Sequence, residues 1–170
     1  MVIWLTGISG SGKTTIASGI LKKYKKNIPN MINIDGDIVR EFFEVTLDYD
    51  VNSRIKQIKR IQKICKFLEA QELILVVSAL YSNSKLMNWN RKNFNKYYEI
   101  YLEVSLETVK KRDPKKIYKR FYDGEERDVV GLDIPWQAPK NYDLKINMDS
   151  NISENEVIEN ITSQIDIFKV

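Results

Sequence analysis

The stretch Gly7-Ile8-Ser9-Gly10-Ser11-Gly12-Lys13-Thr14 has the spacing G-x-x-x-x-G-K-T. Gly7, Gly10 and Gly12 let a backbone take positive φ and approach a ligand closely. The N–H groups of such a loop point inward and cradle phosphate oxygens, and a following helix adds the positive end of its dipole. In that chemistry Lys13 reaches the β- and γ-phosphates and the Thr14 hydroxyl ligates Mg²⁺, with Ser9, Ser11 and Thr15 completing the loop. The plainer reading is a Gly/Ser turn. The flanks favour the functional one, because Val2-Ile3-Trp4-Leu5 reads as a strand and Thr15 to Leu21 as a helix, the setting this motif needs. The expected ligand is a nucleoside triphosphate, ATP by default.

Asp35-Gly36-Asp37 follows the next apolar run, Met31-Ile32-Asn33-Ile34. Two carboxylates flanking a glycine at a strand end can organise Mg²⁺ or take a proton from an attacking hydroxyl. Alone they are also a common Asp-Gly turn. Beside a phosphate loop they become candidates for catalysis, Asp35 with Thr14 for the metal. The next long apolar run, Leu73 to Val77, ends in Ser78, so the aspartate that often follows such a strand is missing. Arg40, Arg54, Lys59 and Arg60 offer cations to an anionic substrate, Arg by its planar fork. Lys115, Lys119 and Arg120 lie in an irregular stretch, where two readings are open: a basic segment that closes over phosphoryl oxygens, or a solvated amphipathic turn.

These residues need elements to hold them. Strand-like runs at 2–6, 31–34, 73–77, 98–104 and 142–146 alternate with helical stretches at 13–26, 38–45, 54–71, 85–95, 106–112 and 153–168, with a loop at Thr46 to Asp50. In the 54–71 stretch Ile55, Ile58, Ile61, Cys65 and Leu68 recur at three- and four-residue spacing. Ser153 and Glu156 form a capping-box pattern. Alternation of this kind predicts an α/β fold of the P-loop NTPase type, with a parallel sheet of about five strands, helices on both faces and a mobile lid at 115–142. Ligands of such sheets bind at the carboxyl ends of the strands, which is where the motifs fall.

Composition bounds the rest. One domain over 1–170 suits the length. A net charge of +4 fits a polyphosphate ligand and is too small to argue for nucleic acid. The absence of histidine excludes imidazole base catalysis and histidine metal ligands. The single cysteine, Cys65, excludes an internal disulfide, and a buried hydrophobe is its simplest role. No apolar run approaches the about 20 residues of a membrane span, and the chain opens on a strand instead of a signal peptide, so the cytoplasm is the expected location.

Taken together, the motifs resemble those of the adenylylsulfate kinases, from position 2 to about 147. That family reads G-x-S-G-S-G-K-T-T and then D-G-D-N-V-R; here these are Gly7 to Thr15 and Asp35-Gly36-Asp37-Ile38-Val39-Arg40. Its D-R-x-E-N-I-R-R is similar to Ser53-Arg54-Ile55-Lys56-Gln57-Ile58-Lys59-Arg60. Its lid, R-D-P-K-G-L-Y and F-T-G-I-D-S-P-Y-E-A-P, resembles Arg112-Asp113-Pro114-Lys115-Lys116-Ile117-Tyr118 and the run from Val129 to Pro139. The resemblance implies transfer of the ATP γ-phosphate to the ribose 3′-hydroxyl of a nucleotide with a 5′ anhydride. It implies Asp35 and Asp37 at the hydroxyl and Mg²⁺, Arg40 and Arg54 on the 5′ anion, Arg112 and Lys115 around the phosphates, and a homodimer.

The departures lie in the acceptor's base pocket. The family sandwiches adenine between two Phe; here Val129 and Tyr49 stand at those positions, and Val130 replaces the Thr of F-T-G. The family's Asn on the N-I-R-R helix is Gln57, and its I-S-P-Y is Val77-Ser78-Ala79-Leu80-Tyr81. A valine cannot stack as a ring does. Gln57, the 78–81 segment and Leu132 become the candidates for the base. A branch resembling this family phosphorylates cytidine diphosphoramidate on the route that decorates bacterial capsules with phosphoramidate, and a pyrimidine suits the changed positions. Two other readings stand beside it: an ordinary adenylylsulfate kinase, and a P-loop switch with no small-molecule acceptor.

Overall fold

The computed structural model describes residues 1–45, 47–81 and 83–169. Thr46, at the start of the expected 46–50 loop, lies outside them. Strands β1 (Val2–Thr6), β2 (Met31–Asp35), β3 (Ile74–Ala79), β4 (Tyr97–Glu103) and β5 (Leu144–Asn147) form one sheet in the order β2-β3-β1-β4-β5, all pairs parallel. Successive side chains of a strand point to opposite faces. In β1, Val2 and Trp4 enter one core with Leu75 and Val77 of β3, while Ile3 and Leu5 enter the other with Ile74 and Val76. The strands read as unbroken apolar runs because both faces are covered.

Helix α1 (Lys13–Tyr24) and α7 (Glu154–Ser163) cover the second face, through Ile16, Ala17 and Ile20 against Val157, Ile158 and Ile161. On the first face lie α3 (Val51–Glu69) and α4 (Ser84–Asn93), which bury Ile58, Ile61, Cys65, Leu86 and Met87. Burial pushes the Cys65 thiol up to about 12, leaving it a packing residue. The Ser153–Glu156 capping box forms as the spacing predicts.

Several boundaries differ from expectation, each for a local reason. Helix α2 spans Gly36–Glu41, not 38–45, because the Asp35 carboxylate caps it by accepting from the Asp37 N–H. Helix α3 starts three residues early because Asp50 caps it, accepting from the Asn52 and Ser53 N–H groups. Strand β3 continues through Ser78 and Ala79, which puts both in the sheet. The final helix stops at Ser163, where its last turn tightens to three-residue bonds, and a 3₁₀ turn follows at Asp166–Phe168.

After α5 (Leu106–Arg112) the chain enters the 115–142 segment. Its one helix, α6, spans Ile117–Tyr122, so Lys115 lies outside it. The Asp113 carboxylate starts α6, accepting from the Tyr118 and Lys119 N–H groups at 3.3 and 2.9 Å. Lys116 precedes it in a left-handed conformation, φ 55° and ψ 24°.

Candidate active site

The loop between β1 and α1 folds around its own lysine. Gly7, Gly10 and Gly12 have φ of 157°, 78° and 94°. A side chain on Gly7 would meet the Leu102 carbonyl oxygen at 2.7 Å. The Lys13 ammonium donates to the carbonyls of Gly7 and Ile8, both at 2.8 Å, and to Ser11 Oγ at 3.3 Å. Burial brings its pKa down to about 8, against the opposing pull of Asp37. The nearby Lys115 moves the other way: its hydrogen bond to Asp37 raises it.

The two aspartates have different surroundings. Asp35 is buried and both oxygens are engaged: Oδ2 accepts from the Thr14 hydroxyl at 2.8 Å and Oδ1 from the Asp37 N–H at 2.9 Å. The Asp37 side chain is 68% exposed and ion-pairs with Lys115 across 78 residues of sequence. Thr14 and Asp35 thus present two hard oxygen donors side by side. Among the described residues no group of three or more Asp, Glu, Cys or His could enclose a metal. That donor set fits Mg²⁺, which keeps several water and phosphate ligands.

One cavity of about 720 Å³ runs along the carboxyl edge of the sheet. It takes in Ser9, Gly10, Gly12, Lys13, Thr14, Thr15, Arg112 and Lys115 of the expected ATP residues. Of the expected acceptor residues it takes in Asp37, Arg40, Tyr49, Arg54, Gln57, Ser78, Ala79, Leu80, Lys115, Val129 and Val130, and it also takes in Asp35, expected at the metal. Gly7 and Ser11 shape the loop from behind. Leu132, also expected at the acceptor, falls outside the cavity lining and packs, partly buried, against the first-face core. Lys59 points to solvent, and Arg60 stacks on Phe43, 4.1 Å from the ring centroid, so neither faces the cavity.

In the acceptor half, Arg40 and Arg54 lie over the Tyr49 ring, 4.5 and 5.5 Å from its centroid. Arg40 also donates to the Leu47 and Asp48 carbonyls at 2.5 and 3.1 Å. Arg54 donates to the Asp128 carbonyl at 2.6 Å, and burial together with Arg40 lowers its pKa. Val129 is held by its own N–H, which donates to the Asp133 carboxylate at 2.6 Å. Arg54 Nε, Gln57 Oε1 and Ser78 Oγ are enclosed without hydrogen-bond partners among the described residues.

Tyr118, matched to the lid motif, has no role assigned from the sequence. It is buried in α6 and its hydroxyl donates to the Ser9 carbonyl at 2.9 Å, tying the 115–142 segment to the phosphate loop. A lone tyrosine between Ile117 and Lys119 reads as amphipathic packing, and nothing local announces a partner 109 residues away.

The family model described as adenylylsulphate kinase matches residues 1–147. The chain is 35% identical to a cytidine diphosphoramidate kinase of Campylobacter jejuni over 164 residues, 96% of this chain and 95% of that one. It is 32% identical to a probable adenylyl-sulfate kinase of Aeropyrum pernix, over 92% of this chain and 88% of that one. The APS kinase CysC of Mycobacterium tuberculosis, solved in complex with AMPPNP and APS, superposes with a TM-score of 0.88 at 26% identity, covering 97% of this chain and 96% of that one.

Proposed function

The chain belongs to the adenylylsulphate kinase family and is an ATP-dependent kinase; from that premise we propose that it phosphorylates the ribose 3′-hydroxyl of cytidine diphosphoramidate. The observation that carries the acceptor is the wall at Val129. It is buried, lines the cavity and offers no ring to stack on an adenine. The Campylobacter jejuni relative supports the same reading by its name. On it, the enzyme serves the route that decorates bacterial capsules with phosphoramidate. An adenylylsulfate acceptor is the rival reading, supported by the Aeropyrum pernix relative.

We assign the base to Asp37. Asp35 has both oxygens committed to Thr14 and to the start of α2, whereas Asp37 is exposed and paired only with the exposed Lys115 ammonium. The 3′-oxygen attacks the γ-phosphorus as its proton passes to the Asp37 carboxylate, and the bond from γ-phosphorus to the bridging oxygen of ADP breaks. Thr14 and Asp35 would hold Mg²⁺, which when bound with ATP neutralises charge on the β- and γ-oxygens. Lys13 turns from the Gly7 and Ile8 carbonyls to those same oxygens. Lys115, released from Asp37 as the 115–142 segment closes as a lid, adds charge to the transferring group. Arg40 and Arg54 hold the 5′ anion.

We also propose a homodimer, on the family resemblance, and a cytoplasmic location, on the sequence reading; among the described residues no helix is long and apolar enough to cross a membrane. The test of function is a panel of nucleotide acceptors with labelled ATP, scored by product mass. A 3′-phosphorylated cytidine diphosphoramidate supports the assignment, and labelled product from adenylylsulfate alone refutes it.

A further inference from the structure

We propose that Gln57 selects an acceptor whose 5′ anionic group also carries an N–H, and so separates a phosphoramidate terminus from a sulfate. The inference rests on the cytidine diphosphoramidate reading and deepens it. Gln57 is 5% exposed and lines the cavity one turn of α3 after Arg54, a spacing that puts both on one helix face. Its Nε2 donates to the Gly36 carbonyl at 2.9 Å. A carbonyl only accepts, so this bond fixes which way the amide faces; the flipped amide would set two oxygens against each other. Gln57 Oε1 is therefore committed as an acceptor, and it is enclosed with no donor among the described residues. Arg54 Nε, a donor, is likewise enclosed with no acceptor, while the guanidinium spends Nη2 on Asp128. Ser78 Oγ can donate or accept, so it does not bear on the sign of the site.

An unpaired donor and an unpaired acceptor on one helix face call for a group that offers both. A terminal sulfate offers oxygens only. It can satisfy Arg54 but sets an oxygen against Gln57 Oε1. A terminal phosphoramidate offers a P–O⁻ oxygen to Arg54 and an N–H to Gln57. Discrimination arises because the wrong terminus leaves a buried polar atom unpaired. Gln57 thus faces the 5′ group, not the base edge.

The test compares cytidine diphosphoramidate with the analogue in which the terminal NH₂ is replaced by CH₃, equal in charge and close in size. Wild-type enzyme should show a kcat/KM about tenfold lower for the methyl analogue. In Gln57→Leu, which has no acceptor atom, the ratio should fall to about one; should that variant fail to bind ATP, Gln57→Asn, with its shorter reach, should show the same loss. Equal wild-type use of both compounds overturns the inference while leaving the cytidine reading intact. A tenfold ratio that survives in the variants overturns it too, by assigning the discrimination elsewhere. If neither cytidine compound is phosphorylated and adenylylsulfate is, the underlying reading fails and this one with it.

Discussion

The two halves of the cavity differ in how they stand without ligand. In the phosphate half, Lys13 rests on two loop carbonyls, Thr14 on Asp35, and Asp35 on the start of α2. In the acceptor half, Arg54, Gln57 and Ser78 each keep a buried polar atom with no partner. A paired network is rigid, while each unpaired buried group carries a penalty of about 1–3 kcal/mol that a matching ligand removes. The phosphate half is thus built for a ligand common to the family. On the proposed function, the acceptor half holds its selectivity in reserve, as pairing that only the right acceptor completes.

Changes in the phosphate half should have the greatest consequences. Lys13→Ala should lower kcat by at least about 100-fold in a folded protein, since it removes a charge aimed at the transferring group. Steady-state kinetics with circular dichroism as the folding check decide it; turnover near wild type would remove the loop from the chemistry. Asp37→Asn comes next and should cost about 100-fold in kcat with ATP affinity within a few-fold. Asp35→Asn should instead weaken Mg²⁺-dependent ATP binding. Identical behaviour of the two variants would contradict their division of labour.

The buried lysine also ties ATP binding to pH. Lys13 has a pKa of about 8 in the free protein because burial disfavours its charge. Bound polyphosphate favours the ammonium, so ATP binding should raise that pKa. Affinity should hold below pH 8 and then fall as pH rises through it, by about tenfold per unit until the complex's own pKa is reached. Calorimetry at pH 7 and pH 9 measures this, and proton uptake on binding at pH 9 should accompany it. Equal affinities at the two values would mean that Lys13 keeps its proton throughout.

The smallest effect concerns the link between the halves. Lys116 stands where the resembling family has glycine, and its left-handed backbone is strained for an L side chain. Lys116→Gly should be neutral to stabilising, by up to about 1 kcal/mol in a urea transition, because relief of strain outweighs the added freedom of the unfolded chain. A clear loss of stability would show that the lysine side chain holds the turn before α6.

Much of the phosphate half was legible because its signals are local. Glycines and Lys13 lie within eight residues, β1 and α1 flank them, and Ser153 announces its cap three residues before Glu156. The division between Asp35 and Asp37 was not legible, since it depends on Thr14 and Lys115, 21 and 78 residues away. Arg60 looked as suitable for an anion as Arg54 until Phe43 claimed it. Leu132 reads as pocket from the motif, and it is partly buried against the first-face core. Tyr118 carried no local sign of its bond to Ser9. In each case the deciding contact is tertiary, and residue type at one position cannot encode it.

The claim at the centre is that the acceptor half suits a cytidine nucleotide with an anhydride-linked phosphoramidate. The loss of a stacking ring at Val129 weakens adenine by only about 0.5–1.5 kcal/mol, so pairing must supply the rest of the selectivity. The direct measurement is kcat/KM for cytidine diphosphoramidate and for adenylylsulfate under identical conditions. A ratio of at least about 100 in favour of the cytidine compound is expected, the product of lost stacking and an unpaired buried group. A ratio favouring adenylylsulfate would contradict it and return the chain to sulfate activation.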